Sequence, residues 1–411
     1  MDFPRFPTLV ALFSFAAFSL PSVGEDWLQW RGPNGNGIAG STAKPPSSWD
    51  DGEGIKWKVP VPGRGHASPI ISGDLVVIAT ATADDQYAIA YDRDDGSERW
   101  RQRVHEGGVP TELHRKNTAA SATPASDGEH FFFLFHNSGQ LTLTALDRSG
   151  EIVWQKDAGG FQCDYRFGYG PSPLLHGDRL IVVSEYGEGY LAAFDKSDGS
   201  EQWRVPRKNK TSYSSPVVAH VAGKDQLLLS GADKIVSYDP DNGKILWETA
   251  GSSLATCGTM VWSDDLVFAS GGFPNKETLA VKADGSGEIV WKNGDKSYEQ
   301  SMLYHDGFVY TLNDNGIALC WNAETGEEKW KVRLGGPVSS SPILAGGLIY
   351  ATNERGITFV FKPNPETFEK VGEFQLGDEG FATPVFVGHE VFVRTAEQSV
   401  ERQEYLYCVG E

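Results

Sequence analysis

Apolar residues in this chain come in short β-branched runs, each bounded by a turn-forming pair. Leu75-Val76-Val77-Ile78 follows Gly73-Asp74, and Leu180-Ile181-Val182-Val183 follows Gly177-Asp178. Runs of this length and composition between Gly/Asp turns predict strands. A second strand then closes on a small residue, an aromatic or aliphatic one and Asp, as in Ala90-Tyr91-Asp92, Ala145-Leu146-Asp147, Ala193-Phe194-Asp195 and Ser237-Tyr238-Asp239. A glycine turn delivers the next strand, which carries a tryptophan. Gly96 leads to Trp100, Gly199 to Trp203, Gly243 to Trp247 and Gly326 to Trp330, with shortened forms from Gly150 to Trp154 and from Gly287 to Trp291. The phrase returns about every 45 residues, a period that marks a repeat architecture. No helical period interrupts it.

Each unit opens on a hydroxyl residue and usually a proline: Ser68-Pro69, Thr123-Pro124, Ser172-Pro173, Ser215-Pro216, Ser341-Pro342 and Thr383-Pro384, with Thr259-Met260 and Ser301-Met302 in the remaining two. Counting these openings gives eight units of four short antiparallel strands. Radial repetition of such units leaves only short edges exposed, so the pattern predicts an all-β, eight-bladed β-propeller of four-stranded antiparallel blades. The last unit ends at Cys408-Val409 without its Trp strand. Ile55-Lys56-Trp57-Lys58-Val59 has no opening strands of its own, so it is expected to supply that strand and close the ring. The tryptophans are expected to pack between neighbouring blades. Trp27, Trp30 and Trp49 lie outside the register and are expected to cover an edge.

Composition changes the picture at the N-terminus. Arg5 precedes an apolar run from Leu9 to Leu20 and the small residues Ser22-Val23-Gly24, the form of an export signal over residues 1–24 cut before Glu25. The organisation expected is therefore a signal peptide (1–24), an N-terminal extension packed on the propeller (25–54) and the propeller itself (55–411), in a periplasmic or secreted monomer. No segment is long enough for a transmembrane helix. The 411 residues carry 55 acidic against 36 basic side chains, a net charge of −19, which disfavours nucleic acid as a partner. Cys320 and Cys408 fall in the small-residue slot of their units and are read as buried fillers. The pairing of Cys163 and Cys257 stays open, and neither an adjacent cysteine pair nor a Cys-x-x-Cys-His haem site is present.

The phrases at 193–203 and 237–247 resemble pyrroloquinoline-quinone-like (PQQ-like) propeller repeats, and the resemblance covers roughly residues 55–409. The start of the extension, Asp26 to Gly37, resembles that of exported planctomycete-type propellers. The resemblance implies one of two classes. Quinoprotein alcohol and sugar dehydrogenases hold the quinone and a calcium ion over the propeller axis. Proteins similar to outer-membrane protein assembly factor B are scaffolds without catalysis. This chain is much shorter than the dehydrogenases, lacks their adjacent-cysteine disulfide and shows no matching ligand and base constellation. It also lacks the lipid-anchor cysteine of the assembly factor. The expectation is a non-catalytic binding or assembly scaffold of the cell envelope, with a protein or polysaccharide partner and no cofactor. The alternative is a PQQ- and calcium-dependent oxidoreductase with Glu299, Asp164 and His114 as ligand candidates. Fold alone does not decide between them.

The repeat also serves as a ruler. From Trp (or Phe374) to the next Ser/Thr, most connections span 9 to 12 positions, but those before the second and third units span 23 and 18. Long loops on a rigid scaffold are often functional. The first, 101–122, carries His105, Glu106, Glu112, His114, Arg115, Lys116 and Asn117; the second, 155–171, carries Phe161, Gln162, Cys163, Asp164, Tyr165 and Arg166. Their tips are expected to meet. The position two residues before each Ser/Thr, namely His66, Ser121, Gly170, Tyr213, Cys257, Glu299, Ser339 and Phe381, is expected to ring the channel mouth. The candidate partner or ligand face is thus His66, His114, Arg115, Asn117, Phe161, Asp164, Tyr165, Arg166, Tyr213 and Glu299. Phe161, Tyr165 and Tyr213 are possible stacking faces for a sugar. Asp164 and Glu185 are possible carboxylate neighbours of Glu299, and no metal-ligand spacing is present.

Overall fold

In the computed structural model the described residues are 26–49, 54–162, 166–185, 188–207, 212–398 and 400–410. The expected signal segment and its cut site, together with Cys163, Asp164 and Tyr165, lie outside them. The described chain forms eight four-stranded antiparallel sheets and no helix. Seven blades run in simple sequence order from an inner to an outer strand. Blade 1, for example, takes Ile70–Ser72, Leu75–Ala81, Asp85–Asp92 and Glu98–Glu106. Blade 8 takes Val385–Val387, Glu390–Gln398 and Arg402–Val409, and its outer strand is Ile55–Val61 from the other end of the chain.

The Gly-to-Trp phrase is a contact between successive blades. Gly150 has φ +88°, and a Cβ there would lie 2.6 Å from Cδ2 of Trp100 in the blade before. Gly96 sits in the same way under Trp57, Gly199 under Trp154, Gly243 under Trp203 and Gly326 under Trp291. Five of the indole N–H groups then donate across the seam, whereas that of Trp203 has no hydrogen-bond partner among the described residues. Trp57, Trp100, Trp154, Trp291 and Trp330 reach the carbonyls of Arg93, Arg148, Lys196, Ala323 and Asn364 at 2.7–3.0 Å. Trp247 departs from this, donating to Gln226 Oε1 of its own blade at 2.7 Å, and Gly287 of the next blade packs on Thr249. On the neighbouring third strand, the position paired with Trp is small. Cys408 pairs with Trp57 and Cys320 with Trp330, both cysteines are fully buried, and Cys257, Cys320 and Cys408 are all free thiols.

The opening Ser/Thr residues hold the inner strands together. The backbone N–H of Ser68 donates to Thr123 Oγ1, Thr123 to Ser172 Oγ and Ser172 to Ser215 Oγ, at 2.9–3.0 Å. The same link runs from Thr259 to Ser301, Ser301 to Ser341 and Ser341 to Thr383. A short side chain carrying an acceptor oxygen satisfies a buried N–H of the neighbouring blade, which explains the residue type at this position.

Residues 26–49 run along the turns at the far end of the inner strands. Trp27 bridges Ile71 of blade 1, Leu28 O accepts Ser126 N of blade 2, Ile38 bridges Leu344 of blade 7, and Lys44 N donates to Gly388 O of blade 8. Trp27 and Trp49 are buried, the latter against Phe374. Trp30 does not cover an edge as the sequence led us to expect. It turns toward the axis, and its Nε1 donates to Thr259 Oγ1 at 2.9 Å.

Candidate ligand cavity at the channel mouth

The connections from each outer strand to the next inner strand converge at one end of the channel around a cavity of about 210 Å³. All eight residues placed there by the repeat register line it: His66, Ser121, Gly170, Tyr213, Cys257, Glu299, Ser339 and Phe381. Below them come ring hydroxyls such as Thr123, Ser172, Ser215 and Thr383, with Trp30 as the floor. The extension thus contributes a wall that no repeat supplies.

The two long loops do meet. His114 N donates to Arg166 O at 2.8 Å, Arg166 pairs with Glu112 at 3.0 Å, and the His114 and Phe167 rings lie 5.0 Å apart. Asn117 Nδ2 donates to the carbonyls of Phe167 and Tyr169. Both loops are shorter than spacing implied, because the outer strands Glu98–Glu106 and Ile152–Gly160 continue well past their tryptophans. His105 and Glu106 are therefore strand residues.

Other candidates separate. His66, His114, Asn117, Tyr213 and Glu299 line the cavity. Arg115 stands at its rim, 69% exposed, with Nη1 3.8 Å from Glu354. Arg166 is 72% exposed and outside the lining. Phe161 is only 4% exposed, its ring edge-to-face with Tyr169 at 5.1 Å and with His136 at 4.8 Å. Burial between blades 2 and 3 removes it as a stacking face. Glu185 is not a neighbour of Glu299 in the cavity; it is buried in an ion pair with Arg207 at 2.5 Å.

The carboxylate that does join Glu299 is Glu354, which sequence reasoning did not single out. Lys116, from the first long loop, crosses the mouth to blades 6 and 7 and joins the two. Its Nζ is 2.8 and 3.0 Å from the Glu299 oxygens and 2.8 Å from Glu354 Oε1. Ser339 Oγ lies 2.6 Å from Glu299 Oε2 and 2.8 Å from Glu354 Oε1. Burial works against a charged Lys116, but the two carboxylates outweigh it and raise its pKa above the ordinary lysine value. No local motif announces Glu354. It sits in the turn after Asn353, and the position of blade 7 brings it to the mouth.

His66 stacks on Phe381 with ring centroids 4.2 Å apart, and its Nδ1 is 3.2 Å from the carbonyl of Lys116. Burial, with Arg64 and Arg394 nearby, holds its pKa well below the ordinary range. The neutral imidazole therefore carries its proton on Nδ1 toward that carbonyl. Nε2 keeps a lone pair and has no hydrogen-bond partner among the described residues. Burial also pushes the Cys257 thiol well above its usual value, so it stays protonated.

The dehydrogenase alternative requires a calcium ion and an anionic quinone. The described residues do not fit either. An ammonium group already bridges the two carboxylates where a divalent cation would need them. Among the described residues no group of three or more His, Cys, Asp or Glu side chains is placed to hold a metal. A second carboxylate at the mouth would also repel a polyacid.

Fold and cavity together define an eight-bladed PQQ-like propeller whose channel is floored by its N-terminal extension. A family model described as outer membrane protein assembly factor BamB matches residues 47–156, 84–316 and 275–362, and the chain belongs to that family. It is similar to the outer membrane protein assembly factor BamB of Shewanella oneidensis, 26% identical over 205 residues. That match covers 49% of this chain and spans about half the relative's length, 47%. Among solved structures, BamB from Moraxella catarrhalis superposes with a TM-score of 0.60 at 15% identity, covering 86% of this chain and 98% of that one. A europium-containing methanol dehydrogenase superposes with a TM-score of 0.74 at 12% identity, covering 94% of this chain and 98% of that one. Likeness at these identities is likeness of fold.

Proposed function

We propose that this chain is a non-catalytic binding or assembly scaffold of the cell envelope that docks a protein partner on the channel-mouth face. The observation that carries this reading is the joining of the two long loops through His114 N and Arg166 O into one surface, with the charged side chains of Glu112, Arg115 and Arg166 about 70% exposed upon it. Rigid blades present that surface, and the cavity behind it brings together no metal-ligand set among the described residues. The relatives are named as outer membrane protein assembly factors, which supports an envelope location and a polypeptide partner. The test is capture from an envelope extract by the full chain and by variants shortened within 107–113 and 166–171. The reading requires a defined partner that is lost when the loops are shortened. A partner retained by both variants would move docking elsewhere. Dye reduction on alcohols or sugars after incubation with the quinone and calcium would overturn the non-catalytic reading.

A further inference from the structure

The cavity has an unbalanced chemistry that the scaffold reading does not use. Glu299 lines the cavity and Glu354 lies just behind the lining, and the two share a single ammonium, that of Lys116, so this pair holds one more carboxylate than it has bonded cations. The nearest guanidinium, Arg115, stands 3.8 Å from Glu354, beyond hydrogen-bond distance, and is largely in solvent. His66 adds no positive charge, and its buried Nε2 has no hydrogen-bond partner among the described residues. The open polar capacity that can be assigned is thus on the acceptor side. Much of the remaining wall is aromatic, from Phe167, Tyr213, Phe381 and Trp30, with Tyr298 already beneath the Lys296 ammonium at 5.0 Å, and aromatic rings attract cations.

We propose that this cavity binds a primary ammonium group on a short apolar stem, seated on Glu299 and Glu354 in place of the Lys116 ammonium. Lys116 is then the protein's own stand-in ligand. It is carried by a loop that lies over the mouth, and it fills the seat with the same chemical group that the ligand brings. The ammonium offers three N–H donors to a site rich in acceptors, and the stem lies against the rings. The size of the cavity, about 210 Å³, suits one side chain or a small amine rather than a folded segment. The inference concerns a site inside the channel and goes beyond the scaffold reading. A partner held on the rim by the loop surface would still be captured if no amine bound.

The test uses the full chain and four probes: phenethylammonium, n-butylammonium, phenethyl alcohol and phenylacetate. Binding is read by calorimetry and by the rise in Tm that a native-state ligand must produce. The two ammonium probes are expected to bind and the alcohol and carboxylate to fail. Lys116→Met removes the competitor and is expected to tighten phenethylammonium by about tenfold or more, whereas Glu354→Gln weakens it by about the same factor. A peptide with one central lysine, compared with its acetyl-lysine form, separates the sources. Tighter binding of the lysine peptide assigns the seat to a partner's side chain, and tighter binding of the free amine assigns it to a small molecule. The proposal is overturned if neither ammonium probe binds the wild-type chain or folded Lys116→Met. Equal binding of phenethyl alcohol would overturn it too. The wild-type titration decides even where a variant fails to fold.

Discussion

Arg394 and Glu404 meet at 2.7 Å inside the seam between blades 8 and 1, with side chains 1% and 2% exposed. The guanidinium also donates to Ala79 O and Thr80 Oγ1 of blade 1, and the carboxylate accepts Gly65 N. This is where the ring must close between distant parts of the chain. It is also where Ser68 Oγ is left without a hydrogen-bond partner. The ionic pair holds a junction that the hydroxyl ring does not.

Removing Arg394 takes the donor from Ala79 O and leaves the buried Glu404 carboxylate with Arg402, at 2.8 Å. Because Arg402 still neutralises Glu404, Arg394→Met is expected to cost about 3 kcal/mol, the low end for a broken buried pair. The double variant Arg394→Met/Glu404→Met is expected to cost less than the sum of the singles, because the contact between the two side chains is then lost only once. Urea denaturation followed by tryptophan fluorescence measures both. Additive losses would mean that the two residues act independently.

Gly150 and Gly128 separate contact from backbone conformation. Both have positive φ, +88° and +93°, but a Cβ at Gly128 meets nothing within 4 Å whereas one at Gly150 strikes Trp100. Gly128→Ala is expected to cost about 1 kcal/mol for the left-handed backbone. Gly150→Ala adds overpacking of about 1–3 kcal/mol more. Equal losses in chemical denaturation would refute the seam role assigned to the Gly-to-Trp phrase.

Histidine titration sets an acid limit on stability. His66, His105 and His136 all have pKa values depressed, first of all by burial. Folded, they stay neutral below the point, near pH 6.5, at which the unfolded chain takes up protons. In that window the unfolded state binds more protons, so stability is full above about pH 6.5 and falls as pH drops toward the folded pKa values. Each such histidine contributes a slope of about 1.4 kcal/mol per pH unit while only the unfolded form is protonated. His66→Phe is expected to flatten the Tm profile between about pH 6.5 and 5. An unchanged slope would show that His66 does not titrate in the unfolded state alone.

Trp30 joins the extension to the propeller through one hydrogen bond and one ring. Trp30→Phe is expected to cost about 1 kcal/mol for the lost donor to Thr259. Trp30→Ala also exposes the cavity floor and is expected to cost on the order of 2 kcal/mol more. If both variants match wild type in urea, the extension is held without its indole.

What was legible in the sequence was everything governed by a local rule repeated eight times. Turn glycines, β-branched runs and the opening hydroxyls recur because each blade solves the same packing problem against its neighbour. A residue's offset from its Ser/Thr therefore predicted its height in the channel, and the cavity ring of His66, Tyr213, Glu299 and the rest followed. The same ruler placed Cys320 and Cys408 opposite tryptophans.

It gave no warning of contacts that leave the register. Phe161 looked available because it stands in a long connection, yet that connection folds inward and buries the ring. Glu185 looked like a cavity carboxylate, and Arg207 takes it elsewhere.

The sequence by itself determined the blade count, the ring closure and the level at which each loop meets the axis, since those depend on hydrogen bonds and packing between adjacent units. Only the tertiary structure decided that Lys116 spans the mouth to Glu299 and Glu354, that Trp30 floors the channel, and that Arg394 locks the seam with Glu404. Those groups lie far apart along the chain, and closing the ring is what brings their charges and rings within bonding distance.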